Sequence, residues 1–424
     1  MKPSFLDAVP AQDTHVAAWL TPRRLRAQAA VLAFCLWGLC AVDFATPGLF
    51  DRTGSVKFQD FLPLFVSARM IAQGRASQLY DVHALTLTEM QIMQRPVNVR
   101  LPAIYGPQVP LLFLPLSQFS FLPAGLIWVE LSLLLYGLCV YRVLNTCANL
   151  ASYYRIAAGA AVAFPPLFHV FVRGQFSVLA LLCFTAAYLA FRVDRKWAAG
   201  IALGMLAFKP QFVVAIPLVL LLARCWIPLA TMAATAVAQF GLAWVYFGTG
   251  VMRSYANNLW HVSGWISAVE PSLASIQMHS LRAFWTLLLP WPLAGLGLYA
   301  LSSIAVIAIA ASVWKSTAPL APRFAALSLA AVLASPHLFV YDLLVLAPAL
   351  LLVADWAINE TEHSSRLLVV SYFAFLLPLI GPLSRWTHVQ LSVPCFVALL
   401  WALREATRSA KRRSKLAWRH SGIV

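Results

Sequence analysis

Several polar clusters interrupt the apolar stretches of this 424-residue chain, and their side chains suit acid–base and anion chemistry. Asp60, in Phe58-Gln59-Asp60-Phe61, is a carboxylate among aromatics. Burial raises a carboxyl's proton affinity, so such a group can take the proton of a hydroxyl near neutral pH. Asp60 also stands where a helix N-cap would stand, and the two roles can coexist. Asp43 and Asp51 are alternative bases, and Asp43 reads equally as an interface residue. Tyr105-Gly106-Pro107-Gln108-Val109-Pro110 forms a rigid turn that offers Tyr105 and Gln108 to a ligand. His169, Arg173, Gly174 and Gln175 fall in a tight connection. There a guanidinium can hold phosphate and an amide can bond a polar ligand. Lys209-Pro210-Gln211 breaks an apolar run. Broken backbone at membrane depth is tolerated where it lines a cavity, and a lysine there can neutralise an anionic head group. In Ser335-Pro336-His337, His337 can hold phosphate or relay a proton, or pair structurally with Asp342. Glu130 reads as paired to another helix.

The elements that must position these groups are dictated by composition. Hydrophobic residues make up 61% and charged residues 11% of the chain, with mean hydropathy +0.77. Soluble domains carry about 25% charged residues. A soluble enzyme, a disordered chain and a disulfide scaffold are therefore excluded, and long continuous runs disfavour a β-barrel. The expected fold is an all-α polytopic membrane bundle. Its runs are 27–45, 121–144, 154–172, 176–191, 197–223, 226–247, 284–313, 324–335, 338–356, 367–380 and 389–403. Counting the Lys209 break as a reversal gives twelve spans, otherwise eleven. Seven cysteines lack metal or redox spacing, so no metal site is expected.

Basic residues set the topology. With both termini cytoplasmic, twenty of the thirty-one Lys and Arg fall inside. The organisation is then a cytoplasmic segment 1–26, a transmembrane core 27–403 and a basic cytoplasmic tail 404–424 facing anionic lipid. No nucleic-acid partner is expected, since no aromatic platform interleaves with the basic tail. Two long outer loops are expected, 48–109 and 248–283. In the first, Phe61, Leu64, Phe65, Ala68 and Ala72 recur at helical spacing, and Asp81 starts a second short helix. Both read as amphipathic helices on the outer membrane surface. On this topology Asp60, Gln175, Lys209, Gln211 and His337 converge near the outer face.

No nucleotide-binding loop, HExxH or DxD pair is present. An enzyme at the outer face without a nucleotide site needs a donor that arrives through the lipid, and a polyprenyl-phosphate-linked sugar meets that need. Membrane lipids and a glycolipid or polysaccharide acceptor are the other expected partners. A transporter or flippase of a lipid-linked sugar is the alternative, which would predict inverted repeats and midplane charges; a scaffold with a degenerate site is a third reading.

Several stretches resemble glycosyltransferase family 87, the polyprenyl-phosphate-mannose-dependent α-1,2-mannosyltransferases of the GT-C superfamily. They are Gln59-Asp60-Phe61 with Ala68-Arg69 and Gly74…Leu79-Tyr80-Asp81; Tyr105-Gly106-Pro107; Gly174-Gln175; Lys209-Pro210-Gln211; and 335–342, Ser-Pro-His-Leu-Phe-Val-Tyr-Asp. The chain departs from the family pattern at Leu64-Phe65 and Phe176-Ser177. The resemblance implies a GT-C core in a bacterial inner membrane with its site on the periplasmic side. It implies inverting transfer without a metal or other cofactor, Asp60 as catalytic base and His337 beside the donor phosphate. Tyr105, Gln108, Arg173, Gln175, Lys209, Gln211 and Asp342 are the expected substrate-binding residues.

Overall fold

The computed structural model describes residues 20–94, 104–360 and 363–420, with side chains except in 262–276 and 410–420. Among the described residues, regular structure is helical apart from two isolated bridges, Phe50–Val56 and Met278–Phe339. Single-turn helices are left unnumbered below. Thr21 caps α1 (Pro22–Phe44), with Pro22 in the first turn where no N–H is needed. At its far end Lys57 Nζ donates to the carbonyls of Phe44, Thr46 and Gly48. Two short helices follow, α2 (Leu62–Ala72) and α3 (Val82–Met93). Asp81 caps α3, accepting from the N–H of His83 and Ala84. Next come α4 (Phe121–Leu144) and the pair α5 (Tyr154–Val162) and α6 (Pro165–Arg173), bent by 40° where the two prolines begin α6.

The remainder is α7 (Ser177–Arg192), α8 (Lys196–Gly204), α9 (Ala215–Leu222), α10 (Trp226–Gln277), α11 (Leu281–Leu288), α12 (Pro292–Trp314), α13 (Leu320–Leu333), α14 (Leu346–Asn359), α15 (Ser364–Leu376) and α16 (Ser392–His420). Among the described residues, six helical stretches are long and apolar enough to cross a membrane, or seven with α5–α6 as one broken span. Other apolar runs fold as helices of 10–17 residues. The protein is thus an all-α polytopic membrane bundle in which some runs pack against protein rather than lipid. α13 shows why: it is apolar all round, and every residue from Phe324 to Leu333 is buried.

Two expectations for the outer loops change. α2 does not lie on a membrane surface; Leu62, Leu64, Phe65, Val66, Ser67, Ala68 and Met70 are all buried. Phe61 packs on Phe113 and Phe65 on Phe121, and Leu64, Phe65, Val66, Ser67 and Ala68 are buried without a break, so both faces of the helix are covered. The stretch 248–283 is mostly helix. α10 continues through it after a break at Gly248, whose φ 78°, ψ 171° is open essentially to glycine alone. Beyond that break Tyr255 packs on Tyr80 beside α3, so this half of α10 joins the first outer segment. Glu130 also departs from expectation: it is exposed on the outside of α4.

Candidate functional site

The site begins at a tight turn after α1. Phe58 is fully buried with φ +56°, a strained value for a side-chain-bearing residue. The turn is pinned to the end of α6, where Asp60 N donates to Arg173 O at 3.0 Å. Gly174 makes this approach feasible: its φ is +66°, and a Cβ there would lie 2.9 Å from the Cβ atoms of Phe58 and Phe61. Trp128 Nε1 donates to Gly174 O and ties α4 to the same point.

The Asp60 side chain does not cap α2. Phe61 is the N-cap residue, without a side-chain bond. The Asp60 carboxylate instead faces Arg173 Nη1 at 3.6 Å and accepts from Gln175 Nε2 at 3.3 Å. The Gln175 amide is oriented by its own neighbour, since Phe176 N donates to Gln175 Oε1. Burial pushes the Asp60 carboxyl above its ordinary range, opposed by Arg173, Gln175 and Lys209. Asp43 and Asp51 are engaged elsewhere: Asp43 pairs with Arg52, and Asp51 holds the turn of Thr53 and Ser55.

A second carboxylate lies close by. Pro210 keeps Lys209 out of the helical conformation, at φ −124° and ψ 79°, between two 3-10 turns. Its ammonium is fully buried, 2.5 Å from Asp342 Oδ1 and 2.7 Å from Ser177 Oγ. Ser177 Oγ donates to the same carboxylate oxygen, and Gln211 Nε2 donates to the other. Asp342 Oδ2 also accepts from Phe339 N, which fixes the start of the 3-10 turn Val340–Val345. Lys209 rests over the rings of Phe176 and Tyr341. The lysine read as an open anion site is thus satisfied within the protein, and Asp342 is its counter-charge.

Tyr105 packs edge-on against Phe176, its carbonyl accepting from Tyr80 Oη. Burial and the nearby Asp342 and Asp60 push its phenol up, opposed by a hydrogen bond with Gln175. The His337 ring stands perpendicular to that of Phe339 at 4.7 Å, and Phe339 leans on Tyr341 at 5.2 Å. Asp60, Tyr105, Arg173, Gln175, Lys209, Gln211 and Asp342 therefore form one contiguous group with His337 at its rim. Gln108 stands apart, its amide folded over Gly106 with both polar atoms buried and unpartnered.

The sequence reading gave no binding or catalytic role to three neighbours. Ser177 bridges Lys209 and Asp342, though nothing in its sequence context distinguishes it from any serine at a helix start. His279, inside the stretch read as loop, donates its backbone N–H to Leu338 O, and its Nδ1 meets Ser392 Oγ at 2.7 Å. Burial and nearby His169 hold its imidazole down, to about 3, so it is neutral. Arg282 Nη1 donates to Pro336 O. Together they clamp the segment that carries His337.

A family model, glycosyltransferase family 87, matches residues 103–336, more than half of the chain. The matched region contains Tyr105, Arg173, Gln175, Lys209 and Gln211, while Asp60 precedes it and His337 follows it immediately. No curated protein and no solved structure matches the chain.

Proposed function

The chain belongs to glycosyltransferase family 87, an integral membrane glycosyltransferase, and from that premise we propose how it works. It transfers a hexose, mannose in the first instance, from a polyprenyl-phosphate donor to a hydroxyl of a lipid- or polysaccharide-linked acceptor. The reaction takes place at the periplasmic face of a bacterial inner membrane. The observation that carries this reading is the Asp60 carboxylate, buried at the edge of the bundle and uncommitted to its own helix, with Arg173 and Gln175 aiming it.

In the proposed step Asp60 takes the acceptor hydroxyl's proton as that oxygen attacks the anomeric carbon. The bond from that carbon to the donor phosphate breaks with its electron pair, polyprenyl phosphate leaves, and the configuration inverts. A general base contributes roughly 10²–10⁴ in rate. Arg173 favours the ionised form of Asp60 against the effect of burial. In this reading His337 donates a hydrogen bond to the departing phosphate. The Lys209–Asp342 pair, neutral overall, holds Ser177 and the Tyr341 turn against Asp60's neighbours rather than binding charge itself.

The test is incubation of purified protein with labelled polyprenyl-phosphate sugars and a lipid extract, with mass analysis of products. A single hexose added from the mannose donor is expected. No product from any polyprenyl donor, or transfer from a nucleotide sugar instead, contradicts the reading.

A further inference from the structure

Helices α1, α5, α14 and α15 enclose a cavity of about 720 Å³. On α1 its lining extends from Pro22 to Cys35, the end of the helix away from the Asp60 turn. Among the described residues, no charged side chain lines it. α1, α14 and α15 belong to stretches that cross the membrane, so the cavity lies at membrane depth. Val31 and Leu379 both line it and are 63% and 38% exposed, so it opens sideways between α1 and the end of α15. Apolar walls give water nothing to bond, and a space of this kind beside a bilayer takes up hydrocarbon.

The open side also carries polar groups in a definite order. Arg24, Gln28, Val31 and Cys35 follow one another at helical spacing, and the last three line the cavity. Arg23, Arg24 and Arg26 stand together at the start of α1, with no acid in its first turn. Tyr372 Oη donates to Gln28 Oε1 at 2.8 Å. That bond holds the amide across the opening and leaves Gln28 Nε2 without a partner among the described residues. Beside Tyr372, Ser371 lines the cavity wall; it is 8% exposed, and its Oγ has no partner. A buried hydroxyl in this state calls for one, and a turn about χ1 presents it to the cavity.

We propose that this cavity binds an anionic diacyl phospholipid, with an acyl chain inside, its ester carbonyl at Gln28 Nε2 and Ser371 Oγ, and its phosphate at Arg24. Arg24 and Gln28 are one turn apart, about 6 Å along the axis, and a glycerol backbone separates its ester carbonyl from its phosphate by a similar span. Basic pockets between membrane helices favour anionic head groups. A polyprenyl phosphate offers no carbonyl to Gln28 and Ser371, and in the proposed reaction its phosphate lies at the Asp60 end, so the site is separate from the donor's. On the proposed sidedness the lipid comes from the cytoplasmic leaflet. α1 has only Ala29, Leu36 and Cys40 buried, so a chain in the cavity supplies packing that the helix's own residues lack.

The full-length chain in mild detergent is titrated with phosphatidylglycerol, phosphatidylcholine or polyprenyl phosphate, and bound lipid is counted by native mass spectrometry. The wild type retains one phosphatidylglycerol in preference to phosphatidylcholine, and its melting temperature rises with that lipid. Arg24→Gln weakens phosphatidylglycerol about fivefold, the worth of one arginine near an anionic surface, and leaves phosphatidylcholine unchanged. Ser371→Ala weakens both phospholipids. Ala160→Trp, which fills the cavity from α5, retains neither and melts alike with and without lipid. Arg24→Gln and Ser371→Ala melt like the wild type when no lipid is added, which separates lost binding from lost folding. Equal retention by wild type and Ala160→Trp, the result if a segment of the chain itself fills the cavity, overturns the proposal. So does equal binding of the two phospholipids, or displacement of phosphatidylglycerol by polyprenyl phosphate at equal concentration. None of these readouts uses sugar transfer, so they stand apart from the identity of the donor.

Discussion

At the scale of single residues, the fate of each carboxylate oxygen separates the candidates. Asp43 gives its oxygen to Arg52, Asp51 to its own turn, and Asp342 to Lys209, Ser177 and Gln211. Asp60 is held by Arg173 and Gln175. Its raised proton affinity has a signed consequence. The base works ionised, so transfer falls as pH drops through its folded value, and that fall begins above the ordinary carboxylate range. Arg173 opposes the rise, so Arg173→Gln moves the acid limb of kcat/KM to higher pH; an unmoved limb would separate Arg173 from Asp60's ionisation. Asp60 was legible as a candidate because a carboxylate between aromatics is conspicuous. Its freedom from capping was not, because whether a side chain bonds its own helix depends on the φ of Phe58 and on the arrival of α6.

At the scale of elements, breaks in helices do the positioning. Pro210 turns Lys209 into the core, where it meets Asp342 more than a hundred residues later. Removing one partner of a buried ion pair leaves the other uncompensated, so Lys209→Met destabilises by about 3–5 kcal/mol. Lys209→Met with Asp342→Leu recovers much of that in thermal unfolding, if burial of an unpaired charge is the cause; equal losses would point to packing instead. Gly248 permits α10 to run on past its break, and Gly248→Ala costs about 1–3 kcal/mol from backbone strain alone, since no neighbour crowds the site. Unchanged unfolding would mean the break relaxes without loss. The Lys209 break was legible from proline chemistry. The lysine's partner was not, because pairing across 133 positions leaves no periodic trace. His279 was missed for the related reason that an unpatterned stretch was read as loop.

At the scale of the whole molecule, apolarity told which segments avoid water but not what they avoid it with. α13 and α1 are both apolar, yet α13 is enclosed by protein while α1 exposes Val31 and Phe34. Hence the bundle's class was legible and its division into spans and enclosed helices was not. Charge distribution remains the guide to orientation. Thr53 neighbours the Asp60 turn, whereas Asp194 lies at the far end of α7 beside Arg192, Arg195 and Lys196. In a cysteine-free background, Thr53→Cys is expected to react with a membrane-impermeant maleimide on intact cells, and Asp194→Cys only after permeabilisation. The opposite pattern reverses the proposed sidedness.

The central claim is that Asp60 removes the acceptor's proton, and single-turnover transfer by Asp60→Asn tests it most directly. The amide keeps the size of the side chain and removes a carboxylate whose ionised form burial disfavours and Arg173 favours, and thermal melting checks that the variant is folded. Transfer of the labelled sugar is expected to fall by about 10²–10⁴. Transfer at the wild-type rate by this folded variant would contradict the account.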